Sequence, residues 1–204
     1  MSEEKNKPEF EDNWPLFEKF LGYLRYLKIR KYIKKEPKPV CVDIGCGFNG
    51  RFLVSISKHI KKGYGFDLQA NEQIIRNVKI VNNTKFNGKI PLKNATVDRV
   101  FMLAVIEHLD MKTAQDMVNE SARVLNKDGL LVLTTPTPMG KPVLEFLSFK
   151  LGLISKESIL EHQHYYTESE LKSVLENAGL ECLVYKKFQF GFNEMIVGIK
   201  KENE

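Results

Sequence analysis

The glycine-rich segment at residues 40–50 carries the most specific chemical signal in the sequence. A short apolar run leads into Gly45-x-Gly47-x-x-Gly50, and a helical pattern follows it. Glycines at this spacing permit positive φ angles and let a ligand approach the backbone closely. Asp43 stands in the apolar run, where a buried carboxylate is costly unless a polar group pairs with it. The segment predicts a nucleotide-like ligand over a strand, turn and helix, although a short motif of this kind also occurs by chance.

A second acidic residue, Asp67, ends the next short apolar run, residues 64–67. It follows Asp43 by about 24 positions, the separation at which a carboxylate on a second strand can accept hydrogen bonds from a pair of ribose hydroxyls. The alternative is a turn or cap residue without a ligand. The glycine-rich segment and Asp67, at the separation expected for a nucleotide site, together favour the nucleotide hypothesis.

The composition fits one globular domain with a full core. The chain has 204 residues, of which 43% are hydrophobic and 28% are charged. A net charge of +5 is too mild to predict nucleic-acid binding. The three cysteines form no C-x-x-C pair, which favours buried thiols over a metal site or a disulfide. With no apolar run near the ~20 residues of a membrane span and no signal peptide, we expect a cytoplasmic protein.

Residues 1–39 predict a polar tail followed by an amphipathic helix. Large apolar residues recur at helical spacing from Phe17 to Leu27, and lysines and arginines lie among them. The simpler interpretation is a helix that packs on the core with its charges solvated. The alternative is a basic surface that makes peripheral contact with a membrane or with an anionic substrate.

Seven apolar runs predict strands, and helical patterns separate most of them. The runs are residues 40–44, 64–67, 79–81, 97–105, 130–135, 180–188 and 194–200. Residues 69–77 have a helical pattern. The alternation predicts an α/β fold with a Rossmann-like, doubly wound, mostly parallel seven-stranded sheet. The last two runs, joined by a short segment that contains Gly191, predict a C-terminal antiparallel hairpin.

The connection at residues 137–166 is long for an α/β unit and rich in large apolar residues. A connection of this length at the carboxyl ends of strands is often a lid or a substrate wall. It could also be an extra helix that covers the core, and the two interpretations are compatible. Thr167-x-x-Glu170 directly after it is a capping box, which predicts the start of a helix.

An ordered set of motifs resembles the class I S-adenosylmethionine-dependent methyltransferase family, in its small-molecule type. The set begins with Val-Asp-Ile-Gly-Cys-Gly at residues 42–47 and Gly-Phe-Asp at residues 65–67. Its later members are Pro-Leu at 91–92, Val-Asp-Arg-Val at 97–100, Glu-His-Leu at 107–109, Arg-Val-Leu-Asn-Lys-Asp-Gly at 123–129, Thr-Pro at 135–136 and His-Tyr-Tyr-Thr at 164–167. The resemblance implies that residues 40–204 form a cofactor-binding domain, with residues 1–39 packed on it and a lid-like insertion at about 137–166.

The resemblance also implies which residues bind S-adenosylmethionine, whose product form is S-adenosylhomocysteine. The glycine loop and Asp43 should line the methionine part, and Asp67 should accept hydrogen bonds from the ribose. Leu68 should lie against the adenine. The family commonly has an acidic residue for the adenine amine in the region where this sequence has Asn87, which could replace it. The implied cofactor residues are Asp43, Gly45, Cys46, Gly47, Asp67, Leu68, Asn87 and Ala104.

The family places two further motifs of this sequence near its acceptor pocket. Methyl transfer to an oxygen atom of high pKa needs a base, and histidine suits that role because its ordinary pKa lies near neutrality. The candidate catalytic residues are His108, His164 and Glu107, and His162 is a further candidate of lower rank. A structural role remains open for each residue, as a helix-start pair or as hydrogen bonds between the connection and the core. A mechanism by positioning alone, without a base, also remains open.

Three functions are compatible with these motifs. The first is methyl transfer from S-adenosylmethionine to a small-molecule acceptor, in which the apolar connection suggests an apolar or glycan-linked molecule. The second is an NAD-dependent oxidoreductase, which is disfavoured by Asp43 inside the strand, by the Glu107-His108 segment and by the terminal hairpin. The third is a non-catalytic S-adenosylmethionine-binding protein. The motifs do not indicate an oligomeric state.

Overall fold

The protein folds around one mixed β-sheet, and the computed structural model describes residues 16–34, 36–82, 89–153 and 156–201. The strands are β1 (Val40–Ile44), β2 (Lys62–Asp67), β3 (Gln73–Ile75), β4 (Val78–Asn82), β5 (Val97–Leu103), β6 (Leu125–Pro136), β7 (Leu180–Phe188) and β8 (Asn193–Lys200). Their order across the sheet is β3-β4-β2-β1-β5-β6-β8-β7. β1, β2, β4, β5 and β6 are mutually parallel, so their carboxyl ends meet at one edge.

Helices cover both faces of the sheet and bury two separate apolar clusters. The helices are α1 (Leu16–Ile29), α2 (Arg51–Ile56), α3 (Met111–Val124), α4 (Lys141–Glu145), α5 (Lys156–Leu160) and α6 (Glu168–Asn177). Val118 of α3 and Leu171 of α6 belong to the cluster on one face. Ile29 of α1 and Leu53 of α2 belong to the cluster on the other. The predicted α/β, doubly wound architecture is confirmed.

The C-terminal hairpin and two helix starts form as the sequence predicts. β7 pairs with β8 and β8 pairs with β6, both antiparallel. Asp110 caps α3, accepting hydrogen bonds from the Lys112 and Thr113 amides at 3.0 Å. Thr167 and Glu170 form the capping box of α6. In each case local side-chain chemistry determines where the element begins.

The sheet has eight strands rather than seven, because the helix predicted at residues 69–77 is wrong. Gln73–Ile75 is instead the short strand β3, which pairs antiparallel with β4. The reversal falls at Arg76, whose φ of 57° is left-handed. The Asn77 side chain fixes this turn by donating to the Ser57 and Ile60 carbonyls at 3.0 and 2.8 Å. Two consecutive isoleucines therefore lie in an edge strand, because pairing with β4 outweighs the weak helical periodicity of this segment.

Hydrogen bonds tie the N-terminal helix to the sheet, and the long connection contains short helices. Arg99 of β5 donates to the Tyr32 carbonyl at 2.9 Å, just after α1. Gln189, after β7, donates to the Leu21 carbonyl of α1 at 3.0 Å.

The connection contains α4, a π-helical turn at Phe146–Lys150 and α5. None of the helices among the described residues is long and apolar enough to cross a lipid bilayer.

Candidate active site

The glycine loop leaves β1 in a conformation that only small residues accommodate. Gly45 and Gly47 have left-handed φ angles of 71° and 72°. The Gly45 amide donates to the Phe66 carbonyl at 2.8 Å, which holds the loop against β2. A Cβ atom on Gly45 would lie 2.3 Å from Cγ2 of Val105, after β5. The loop therefore fits closely against the chain that leaves β5, and Gly45 is required for both its φ angle and this contact.

Asp67 at the end of β2 supports the glycine loop. Its Oδ2 accepts a hydrogen bond from the Gly47 amide at 2.9 Å. Its Oδ1 accepts one from the Gln69 amide, also at 2.9 Å. Each carboxylate oxygen has a further lone pair. The carboxylate can therefore hold the loop and still accept hydrogen bonds from a ribose diol.

Asp43 is buried at the end of β1, with only 3% of its surface exposed. Burial raises its pKa well above the ordinary value for aspartate, and the negative charge of Asp67 raises it further. A cation placed beside Asp43 would reverse this effect. The carboxyl group is therefore suited to recognising the ammonium group of an amino-acid moiety, as in the methionine part of S-adenosylmethionine.

The other predicted cofactor residues are distributed around the same edge of the sheet. Leu68, directly after Asp67, is 66% exposed and offers an apolar surface. Ala104 has a left-handed φ of 58°, and its amide donates to the Thr134 carbonyl at 2.9 Å. A strained alanine of this kind is characteristic of functional sites. Cys46 is buried within the loop. Asn87 lies outside the described residues.

Glu107 is a buried carboxyl group beyond the end of β5, with 1% of its surface exposed. Thr135 on the neighbouring strand β6 donates a hydrogen bond to its Oε2 at 3.1 Å. Burial raises the pKa of Glu107 to about 7, while its own backbone, Arg25 of α1 and Thr135 act in the opposite direction. The group therefore changes its ionisation near neutral pH. Val105, which contacts the glycine loop, lies two residues before it, so this carboxyl group adjoins the cofactor end of the site.

Two histidines and a tyrosine surround Glu107. The His108 and His162 rings pack edge to face with centroids 4.7 Å apart. His162 Nδ1 shares a hydrogen bond of 2.8 Å with the Tyr165 hydroxyl. Burial and the neighbouring His108 lower the pKa of His162 to about 4, and burial also lowers the pKa of His108. Both rings are therefore neutral at physiological pH, with nitrogen lone pairs available for hydrogen bonds or for a ligand.

His164 lies next to this cluster, but its side chain faces a different partner. Its Nε2 is 3.0 Å from Oε1 of Glu170 in the capping box of α6. Its backbone amide donates to the Glu107 carbonyl at 3.2 Å. The backbone of this residue thus helps to anchor the connection, while its imidazole is engaged at the helix start.

The structure adds three residues to the site that the sequence motifs do not single out. Arg25 acts on Glu107 from α1, Thr135 bonds to it from β6, and Tyr165 bonds to His162. Thr135 and Tyr165 belong to two of the motifs that resemble the methyltransferase family, and those motifs could have indicated that they lie at the site. Arg25 belongs to a run of basic residues whose simplest interpretation is a solvated surface. Nothing in its sequence context distinguishes it from its neighbours.

The fold and site define a class of protein: an α/β enzyme with a glycine loop for a nucleotide cofactor and a polar acceptor cluster beside it. Comparison with known families agrees, because residues 19–185 match the family described as "Methyltransferase domain". The chain belongs to this methyltransferase family. It is an S-adenosylmethionine-dependent methyltransferase, and the predicted family, enzyme class and cofactor are confirmed.

The chain resembles one named relative in sequence and two solved structures in fold. The chain is 28% identical over 196 residues to the ubiquinone/menaquinone biosynthesis C-methyltransferase UbiE of Campylobacter jejuni, covering 83% of this chain and 81% of the relative. A crystal structure of a methyltransferase from Aquifex aeolicus superimposes with a TM-score of 0.57 at 20% identity, covering 91% of this chain and 90% of that one. Another from Mesorhizobium loti gives 0.66 at 12% identity, covering 87% and 98%. At these identities the solved structures support the fold alone.

Gly45→Ala should weaken binding of S-adenosylhomocysteine about tenfold or more, because the loop must move away from Val105. Adding Val105→Ala should restore part of the lost affinity, since it removes the atom that the new Cβ would meet. Isothermal titration calorimetry measures both. Gly22→Ala is the control, because a Cβ there meets nothing within 4 Å. Unchanged affinity in the single variant would contradict the close fit of the loop.

Asp43→Asn should remove a component of the pH dependence of stability. The folded-state pKa of Asp43 is raised, so between the ordinary and the raised pKa the folded protein holds a proton that the unfolded chain has lost. Stability from this group therefore falls as pH rises through that window, and the asparagine variant should lack this fall. Urea unfolding at about pH 5 and about pH 8 measures the slope.

Asp116→Asn is the matched control for this experiment, because Asp116 lies exposed on α3. It should keep the slope of the wild type. The Asp43→Asn variant should also bind S-adenosylhomocysteine more weakly, since its amide cannot supply a negative charge to an ammonium group. An unchanged slope in Asp43→Asn would show that this carboxyl group is ionised in the folded protein.

Proposed function

We propose that the enzyme methylates a small, largely apolar acceptor whose reacting group lies against the Glu107 cluster. The observation that carries this proposal is a buried carboxyl group, two neutral imidazoles and a tyrosine hydroxyl beside the glycine loop. The cofactor would be held by the residues that the family resemblance indicates: Asp43, Gly45, Cys46, Gly47, Asp67, Leu68, Asn87 and Ala104. Acceptor and cofactor would then meet at the carboxyl ends of β1 and β5.

The apolar character of the acceptor is inferred from the connection between β6 and α6. Six large apolar side chains are exposed between residues 139 and 160. They are Met139, Phe146, Phe149, Leu151, Leu153 and Leu160. The relative from Campylobacter jejuni is named for ubiquinone and menaquinone biosynthesis, whose products combine a polar ring with an apolar tail. An acceptor of this chemical kind would place its ring at the polar cluster and its tail along the connection.

The protein's part in the reaction would be alignment, exclusion of water and control of one proton. S-adenosylmethionine supplies an electrophilic methyl group. Glu107 would take up the proton that the acceptor loses, because its pKa of about 7 leaves it partly ionised at neutral pH. Thr135 holds this carboxyl group in place from β6. His108 would orient the acceptor, since its ring borders the same cluster.

His164 would have a secondary part in this scheme. Its imidazole already contacts Glu170, so contact with the acceptor would require that pair to separate. We therefore assign the main acceptor role to Glu107 and His108, and we keep His164 as a residue that positions the connection. The enzyme would act in the cytoplasm, which is consistent with cysteines that are all free thiols in the described chain.

Peripheral contact with a lipid surface would give the enzyme access to an acceptor of this kind. Phe20 and Tyr23 of α1 are exposed, and Lys28 follows them in the last turn of the same helix. Phe190, after β7, is 96% exposed. Its neighbour Gln189 is bonded to α1, so these side chains belong to adjoining segments. Exposed aromatic residues beside lysines are the usual composition of an interfacial contact.

Glu107→Gln and His108→Ala should each lower kcat about 100-fold, while the Kd for S-adenosylhomocysteine changes less than about threefold. The assay is transfer of a radiolabelled methyl group to a panel of hydroxylated naphthoquinols, with short and long apolar tails. His59→Ala is the control and should leave both quantities unchanged, because His59 is exposed at the end of the turn after α2. Wild-type turnover by both variants would refute the acceptor assignment.

The lipid-surface proposal predicts that the protein pellets with anionic phospholipid vesicles at low salt. Binding should weaken when the salt concentration rises, since added ions screen the lysines. A double variant, Phe20→Ser with Tyr23→Ser, should pellet less. Ile74→Ser is the matched control, because Ile74 is also exposed but lies on the edge strand β3. Equal pelleting of the double variant and the wild type would exclude α1 as the contact.

A further inference from the structure

Glu107, His108 and His162 have the arrangement of a three-ligand metal site. One carboxylate oxygen and one ring nitrogen from each histidine all lie within 4.8 Å of one another. Two imidazoles and a carboxylate leave further coordination positions open to a substrate. We propose that these three residues bind a divalent transition-metal ion, with Zn²⁺ as its representative, at the acceptor end of the site.

His108 provides the first supporting observation. Its Nδ1 is buried and has no hydrogen-bond partner among the described residues. The ring also takes part in a hydrogen bond with the backbone of Glu161. A histidine that donates one N–H to a backbone carbonyl keeps a lone pair on its other nitrogen, and this is the usual arrangement of a metal-binding histidine. A buried, unpaired lone pair costs free energy that a bound ion would remove.

Hydrogen bonds also orient the other two ligands. His162 uses Nδ1 in its hydrogen bond with the Tyr165 hydroxyl, which leaves one nitrogen of the ring for an ion. Glu107 uses Oε2 as the acceptor for Thr135, which leaves its other oxygen. Each proposed ligand is therefore held by a second group. This support distinguishes the cluster from acidic and histidine side chains that merely lie close together on a surface.

The distances require a small contraction when the ion binds. Ligands at about 2.1 Å from a tetrahedral ion lie about 3.4 Å from one another. Since the ligand atoms lie within 4.8 Å of one another, the most widely separated pair must approach by at most about 1.4 Å. Glu107 and His108 share one short turn after β5, whereas His162 belongs to the connection. A movement of the connection toward β5 would close the site.

One nearby charge opposes the ion, and this provides a specific test. The positive charge of Arg25 on α1 interacts with the Glu107 carboxylate, so it would repel a cation bound to that group. Removing this charge should strengthen metal binding. A histidine pair with a purely structural role would show no such response to a change on another helix.

The ion's part in catalysis rests on the proposed function. An acceptor oxygen bound to a divalent ion releases its proton to solvent more readily than a free hydroxyl does. The oxygen or its conjugated carbon would then form a bond to the methyl group as the bond from that group to sulfur breaks. With the ion bound, Glu107 would serve as its ligand and the proton would leave to solvent, whereas in the metal-free protein Glu107 itself would take up the proton. Metal binding itself can be measured without any acceptor.

The test is calorimetric titration of Zn²⁺ into the EDTA-stripped full chain, without acceptor or cofactor. The wild type should bind one equivalent with a Kd of about 10 μM or lower. His162→Ala and Glu107→Gln should each weaken this binding about 100-fold. Arg25→Met should strengthen it about threefold or more, because the opposing charge is gone. Thermal unfolding in EDTA should show that all variants are folded.

His59→Ala is the matched control, since it removes a histidine that is outside the cluster, and it should bind as the wild type does. Binding of Zn²⁺ equally by His162→Ala and the wild type would overturn the proposal, as would no wild-type binding below about 100 μM. Neither result depends on turnover. If Zn²⁺ binds as expected but no quinol is methylated, the proposed acceptor is wrong and the metal site stands.

Discussion

The hydrogen bond between the Gly47 amide and the Asp67 carboxylate fixes the geometry on which the site depends. It joins the loop after β1 to the end of β2, and the Gly45 amide adds a second link to Phe66. With both links in place, Gly45 packs against Val105. The cofactor loop thus positions Val105, and with it the turn that carries Glu107 and His108. Parallel strands make this possible, because their carboxyl ends lie side by side.

Asp43 and Glu107 are buried at this edge, and stability explains neither carboxyl group. Asp43 and Glu107 have pKa values raised by burial, so each costs free energy whenever it is ionised in the folded protein. Replacing them with apolar residues would be expected to stabilise the fold. Buried carboxyl groups with raised pKa values mark functional sites for this reason. Here one adjoins the cofactor loop and the other adjoins the acceptor cluster, which matches a reaction with two substrates.

The sequence predicted those parts of the molecule that local chemistry determines. The glycine loop, the extent of each apolar strand, the caps of α3 and α6 and the terminal hairpin each depend on residues close together in the chain. A helix was predicted where β3 lies, because the sequence pattern does not reveal the two-residue turn at Arg76 and Asn77. The orientation of His164 toward Glu170 could not be read from its motif, since a capping glutamate competes with the acceptor pocket for the same imidazole.

Contacts between distant segments were beyond the reach of the sequence. Arg25 and Glu107 are separated by most of the first half of the chain, and only the packing of α1 on the sheet brings their charges into interaction. This interaction changes how the N-terminal helix is understood. If α1 only covered the core, an uncharged residue would serve better than an arginine whose Nε is buried without a partner among the described residues. The positive charge of Arg25 favours the ionised form of Glu107, an effect on the candidate site that a helix serving only to cover the core would not have.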